Sequence, residues 1–458
     1  MPLTPTITTL GLDPSQRAHI LNGNAFQQDA ILSFAGWQYV VFYSPKPESP
    51  AHKVVYVNLA RRKLPDGVWE QMIFEDYEQT ADDGHNTVQM GICPGDGTIH
   101  LSYDHHCGGL KYRHSVKDLT RYPTVFAWDA KLFSATFDHL PGILRSDAPF
   151  ACLTYPRFGF LGSDMFFSAR DGQAGLGDDF LCIYRAATGS YEYVGKHLKG
   201  VKNNPYVHGL HWQSGKLHVT WVYRDFVYYE GWDTPNTSAH QHAGPNGPGN
   251  NYNIYYAYSE DSGQTWKNGK DETVANLKKG ESILPHSLGI MAFEIPKASG
   301  LANQESQAVD CEGGVHVLNR QLVDGELVWT TFYRSPSGKG VSQQNFVNGK
   351  FAVPPGSWTK SKICPAPSST RGCLATSREG DIYILLPEPA TRTLKLFKSP
   401  KESDFLHFAE IWAGEGFLGE PLVDRQRLEN DNVLSVFTLR VGVELSLERN
   451  VVVLDFVL

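Results

Sequence analysis

The 458-residue chain has 41% hydrophobic and 20% charged side chains, which excludes a disordered or collagen-like protein, and its 43 glycines and 27 prolines point to many turns. A formal net charge of -8 lacks the basic footprint of a nucleic-acid binder, yet leaves room for a local Arg/His pocket that takes an acidic sugar. No apolar run approaches the roughly 20 residues of a membrane helix, and no leader is visible at Met1-Pro2-Leu3-Thr4.

Helical periodicity is nearly absent. Short apolar or alternating runs, each bounded by Gly, Pro, Asn or Asp, recur instead as pairs of strands. In chain order the pairs are 37–43 with 53–57, 97–103 with 110–113, 165–170 with 180–185, 216–224 with 253–258, 314–318 with 327–334, 381–386 with 394–398, and 432–437 with 445–447 and 451–454. Seven such units fall near the ~40–50 residues per blade of a propeller. The whole chain, 1–458, is therefore expected to be one all-β, seven-bladed β-propeller, with its long loops on the propeller faces. Ser259-Glu260-Asp261-Ser262-Gly263-Gln264-Thr265-Trp266 fits the Asp-box pattern S-x-D-x-G-x-T-W, in which Asp ties turn amides, Gly takes a positive φ and Trp packs beneath. That motif is structural and assigns no activity.

The candidate chemistry starts at the second unit. Residues 87–92 and 97–103 read as two strands around the turn Cys93-Pro94-Gly95-Asp96-Gly97. Their far ends meet, so His85 and Asn86 face His105 and His106 at one sheet edge. Tyr155 enters the third unit, Arg170 ends its first clear strand, and Tyr223-Arg224 ends the matching strand of the fourth. Equivalent strand ends share one face of a propeller, so these side chains are expected to converge, with His208 and His211 edging the pocket. Arg170 has Asp171 and Asp179 as alternative structural partners, and Arg224 has Asp225.

His, Tyr and Arg together suit β-elimination at a uronic acid. The C5 proton is weakly acidic, so Arg must neutralise the carboxylate as the carbanion forms. A His or Tyr takes the proton and another protonates the departing glycosidic oxygen. A hydrolase would instead want two carboxylates flanking the bond.

Asp83-Gly84-His85-Asn86, Gly97-x-Ile99-His100, Asp104-His105-His106, Tyr155-Pro156, Arg170-Asp171-Gly172 and the Asp box together resemble the propeller polysaccharide lyases. These include the ulvan lyases and the fungal L-rhamnose-α-1,4-D-glucuronate lyases, to which the length and the His-containing motifs look closer. The resemblance runs clearly from Gln28 to Trp266. It implies a secreted, monomeric enzyme that removes terminal rhamnose from glucuronate in gum arabic-type glycans without a catalytic metal. It maps His85, His105, Tyr155 and Arg170 onto catalysis, and from their placement Asn86, His106, His208, Tyr223 and Arg224 are expected to bind substrate. The insertion 231–251 would wall off one end of the groove and make the action exo.

The alternatives are an endo-acting ulvan-type lyase, a sialidase-like hydrolase and a propeller lectin. A lectin would repeat its sites around the ring, whereas the His/Tyr/Arg set is confined to units two to four. A structural Ca²⁺ would suit the carboxylate-rich loops, around Asp178 and Asp179 for instance, with no ligand set assigned. His240 and His242 lie in a polar loop that could hold an adventitious metal, and Asn236-Thr237-Ser238 is a glycosylation sequon. Of the seven cysteines, Cys364 and Cys373 bracket a Pro/Ser loop and could close a small disulfide.

Overall fold

The computed structural model describes residues 3–25, 29–46, 53–232, 245–336, 356–441 and 448–458. His240, His242, the Asn236 sequon, segment 445–447 and the middle of the 231–251 insertion lie outside them. Seven antiparallel sheets follow one another around a ring, the expected seven-bladed β-propeller.

Blade one is built from Ile31–Phe34, Trp37–Ser44, Val55–Lys63 and Glu70–Gln79. Blade two has three strands, Val88–Ile92, Ile99–Tyr103 and Tyr112–His114. Blade three runs Leu153–Leu161, Asp164–Gln173, Leu176–Arg185 and Ser190–Leu198, and His106–Gly108 pairs with its innermost strand. Blade four begins with Asn203–Gln213, Lys216–Asp225 and Asn251–Ser259. The last blade pairs Thr6–Asp13, from the start of the chain, with Arg449–Val457 from its end. This closes the ring, with Thr6–Asp13 as the outer edge strand of the last blade. The same seam is stitched by Asp424, which accepts from Ser33 N at 3.0 Å and from Gln38 Nε2 at 2.8 Å.

Apolar faces of neighbouring blades pack against each other, so the core is a set of wedges between sheets. Inner strands of all seven blades surround an axial cavity of about 230 Å³. Among the described residues no helix is long and apolar enough to cross a membrane.

The Asp box folds as its residue types dictate. Asp261 Oδ1 accepts from Thr265 N at 2.7 Å, Ser259 Oγ from Gly263 N at 2.8 Å, and buried Trp266 donates Nε1–H to Gly263 O at 2.9 Å. Gly263 sits at φ +84°, and a Cβ there would meet Leu181 Cδ2 at 2.2 Å. Gly263→Ala is therefore expected to cost about 1–3 kcal/mol. A thermal melt should shift down by several degrees, and activity at room temperature should not change, because this turn lies outside the candidate site.

The suggested Cys364–Cys373 bridge is not made. Both cysteines are free, and Cys373 instead accepts from Ser306 Oγ at 3.8 Å.

Candidate active site

The second hairpin delivers its two ends as the sequence predicts. Val88 pairs with Tyr103, and Asp104 N donates to Thr87 O at 3.0 Å. Just before the strand, Asp83 caps a tight turn: its Oδ1 accepts from His85 N at 2.9 Å, and its carbonyl accepts from Asn86 N at 3.0 Å.

The same carboxylate organises the site. Oδ1 meets His85 Nδ1 at 2.6 Å and Oδ2 meets His106 Nδ1 at 2.6 Å. The two imidazoles stack at 3.9 Å between ring centres, 13° apart in plane. Both histidines together hold Asp83 well below the usual carboxylate range, against its burial. An ionised carboxylate can only accept, so Nδ1 of each ring is the protonated nitrogen, and Nε2 is the basic one. Burial pushes the His85 pKa below its ordinary value, outweighing the Asp83 contact that raises it. His85 is thus a neutral base at neutral pH. Asp83, His85 and His106 also form the group of possible metal ligands found among the described residues, within 4.8 Å of one another. A cation there would have to displace both Nδ1 protons from Asp83.

His105 is corrected. It is 1% exposed, and its Nε2 accepts from Lys111 N at 3.0 Å. Burial and Lys111 lower its pKa to about 3. Adjacent strand residues point to opposite faces, and here His106 takes the site while His105 braces the hairpin. Asn86 is likewise engaged: its Nδ2 donates to Asp104 Oδ1 at 2.6 Å, and Tyr77 and Gln79 bond the same carboxylate.

Tyr155 comes from the innermost strand of blade three, where the register slips between Thr154 and Arg157. This bulge holds Tyr155 at φ +60° and turns its side chain toward His85, with ring centres 6.0 Å apart. Burial pushes its phenol up to about 12 despite the opposing pull of Arg170, so it is protonated at neutral pH.

Arg170 stands opposite Thr154 on the next strand and is 2% exposed. Nη2 donates to Thr154 Oγ1 at 2.8 Å and lies 3.5 Å from Cys107 Sγ, while Nη1 points to Tyr206 OH at 3.4 Å. Its guanidinium lies over the Tyr155 ring at 4.8 Å. Among the described residues its buried Nε has no partner, leaving one donor for a ligand anion. Asp171 and Asp179 do not pair with it. Lys196 takes Asp171 and Asp178, and Arg157 takes Asp179, so these carboxylates are spent on protein partners.

Arg224 joins from blade four. It donates Nη1 to Tyr206 OH at 3.3 Å and Nε to Asn251 Oδ1 at 2.8 Å, with its guanidinium 4.5 Å over the Tyr206 ring. Tyr206, which the sequence reading passed over, is the hinge of the pair: its hydroxyl faces both arginines and its ring lies 6.0 Å from that of Tyr155. The available signal was register. Thr154 pairs with Arg170 and Asn204 with Arg224, and a tyrosine follows each within two residues, Tyr155 one after Thr154 and Tyr206 two after Asn204. Arg371 also acts on the site by lowering the pKa of Tyr155; Gln304 O and Asn303 Oδ1 hold its guanidinium at 2.8 and 2.7 Å.

Two further assignments are corrected. Tyr223 is fully buried beside Trp221 and Tyr255, and its hydroxyl donates to Lys199 O at 3.2 Å. His208 lines the axial cavity, where Glu305 N donates to its Nδ1 at 3.2 Å. Neither joins the group formed by His85, His106, Tyr155, Arg170 and Arg224.

The model of a BNR repeat-containing family matches residues 37–349. Two curated proteins named "Ulvan lyase, long isoform", from Pseudoalteromonas sp. (strain PLSV) and Glaciecola sp. (strain KUL10), are each 28% identical over 224 and 226 residues. Those matches cover 42% of this chain and 21% of each relative, so the chain matches about a fifth of their length. The crystal structure of polysaccharide lyase Uly1 superposes over 100% of this chain and 99% of its own, with TM-score 0.67 and 17% identity, which makes the fold the same.

Proposed function

The chain belongs to the BNR repeat-containing family, and from that premise we propose that it is a polysaccharide lyase acting on a uronate. The finer reading is cleavage of terminal L-rhamnose-α-1,4-D-glucuronate linkages by β-elimination. One observation carries it: a neutral imidazole, a protonated phenol and a buried guanidinium with one donor to spare stand in a row at His85, Tyr155 and Arg170.

In this reading Arg170 binds the uronate carboxylate through its charge and its unpartnered Nε–H and stabilises the enolate-like charge that grows there. His85 Nε2 takes the C5 proton. The electron pair forms the C4=C5 double bond as the C4–O4 bond breaks, and Tyr155 donates its proton to the departing oxygen. Rhamnose leaves with O4, and the proton on His85 returns the phenolate to phenol. Among the described residues no pair of carboxylates flanks this row, which disfavours a two-carboxylate hydrolase. The ulvan-lyase matches favour an endo-acting relative as the second reading.

The test is ultraviolet absorbance of a 4,5-unsaturated uronate on gum arabic and, in parallel, on ulvan. Absorbance with free rhamnose released from gum arabic supports the exo reading. Early long oligosaccharides from ulvan alone support the endo reading, and no absorbance on either overturns both.

The pH profile follows from the two proton carriers. His85 must be neutral and its pKa is lowered, so kcat/KM should hold down to a pH below the ordinary histidine value of 6.5 and fall only on further acidification. Tyr155 must be protonated and its pKa is raised to about 12, so no alkaline loss from this group is expected near the ordinary tyrosine value of 10.0. An acid limb above 6.5 would remove His85 as the base.

A further inference from the structure

The loop that follows Arg224 puts Phe226, Tyr228, Tyr229 and Trp232 within seven residues. None belongs to a core cluster, and Tyr228 is 73% exposed. The rings gather on one another: Phe226 meets Trp232 edge-on at 5.1 Å, Tyr228 meets Trp232 at 6.2 Å, and Phe226 lies 6.3 Å from Tyr229. Phe226, Tyr229 and Trp232 are half-buried and Tyr228 is exposed, so the group is an aromatic patch at the surface, outside the core.

The group is fixed to both arginine-bearing strand ends. Fully buried Asn246 ties its base, accepting from Val227 N at 2.6 Å, and the carbonyl of Asn246 accepts from Arg224 Nη1 at 3.1 Å. On the other side the Trp232 carbonyl faces Gln173 Nε2 at 3.5 Å, three residues beyond Arg170 on the same strand. The loop is therefore tied to both strands that carry the guanidinium pair. A pyranose has one apolar face of C–H groups, and Trp and Tyr give that face broad, rigid contact while their polar edges stay wet.

We infer that the Phe226–Trp232 loop is a sugar-stacking subsite for a neutral pyranose ring next to the uronate held at Arg170. This rests on the proposed uronate site only for the identity of its neighbour.

The experiment is native-gel retardation in gels containing gum arabic or ulvan, for wild type, Trp232→Ala, Trp232→Phe and Tyr228→Ala, with unsaturated uronate assayed in parallel. Wild type should be retarded by at least one polymer, Trp232→Ala should bind about tenfold more weakly, and Trp232→Phe should retain most of the binding. If Trp232→Ala proves unfolded in a thermal melt, exposed Tyr228→Ala carries the test, with about a threefold loss expected. Loss of retardation in a preparation that makes no unsaturated product upholds the subsite and sinks the lyase reading. Unchanged retardation of both alanine variants, or no retardation of active wild type, overturns the subsite and leaves the lyase reading standing.

Discussion

Replacing His85 by alanine is expected to abolish unsaturated-uronate formation, a fall in kcat on the order of a thousandfold or more, with the melt unchanged. The side chain is 35% exposed, so little buried apolar area is lost with it. Loss of its bond to Asp83 Oδ1 leaves a carboxylate that His106 still holds through Oδ2. The fold therefore keeps its turn while the site loses the imidazole that faces Tyr155. His106→Ala provides the contrast. It removes the stacked neighbour and one donor to Asp83 but leaves His85 bonded, so about a tenfold loss is expected. Matched ultraviolet progress curves at equal protein concentration decide the point. Near-normal turnover by His85→Ala, or a larger loss for His106→Ala, would reverse the assignment of the two imidazoles.

The ring was legible because its signal is repetitive. Seven strand pairs, each cut by Gly, Pro, Asn or Asp, and one complete Asp box state a propeller without any long-range information. The site was legible to the level of strand ends and no further. Parity decided the errors. Arg224 faces the site, so its neighbour Tyr223 has to point into the wedge between blades, which alternation alone could have foretold. The His105/His106 choice could not be read this way, because Asp104 takes φ +61° and the pairing of His106–Gly108 with blade three is irregular. Each irregularity shifts the parity that follows it. Asp83 stood inside the quoted motif, yet its role depends on two imidazoles twenty-one residues apart in sequence reaching one carboxylate. That is a tertiary fact. Tyr206 lacked any charged neighbour in sequence and gained its meaning only from the two guanidinium groups that meet its hydroxyl.

Arg170→Lys is expected to cost about 10²–10³ in kcat, although the charge is kept. The guanidinium is fixed by Thr154, by the faces of Tyr155 and Tyr206, and by the Tyr206 hydroxyl. Held this way the guanidinium keeps Nε–H for a carboxylate while Nη1 and Nη2 stay on Tyr206 and Thr154, whereas an ammonium is a point charge on a flexible stem that cannot make both sets of contacts. The stabilisation at stake is that of charge developing on the carboxylate as C5–H breaks, so the loss should fall on kcat more than on KM. Arg224→Lys makes the control. Two of its donors are spent on Asn251 and Asn246, and it reaches the site by holding Tyr206. It positions more than it binds, and about a tenfold loss is expected. If the two lysine variants lose kcat equally, the carboxylate is shared by both arginines. If Arg224→Lys loses more, the uronate sits nearer blade four, and the row of His85, Tyr155 and Arg170 no longer describes the reaction.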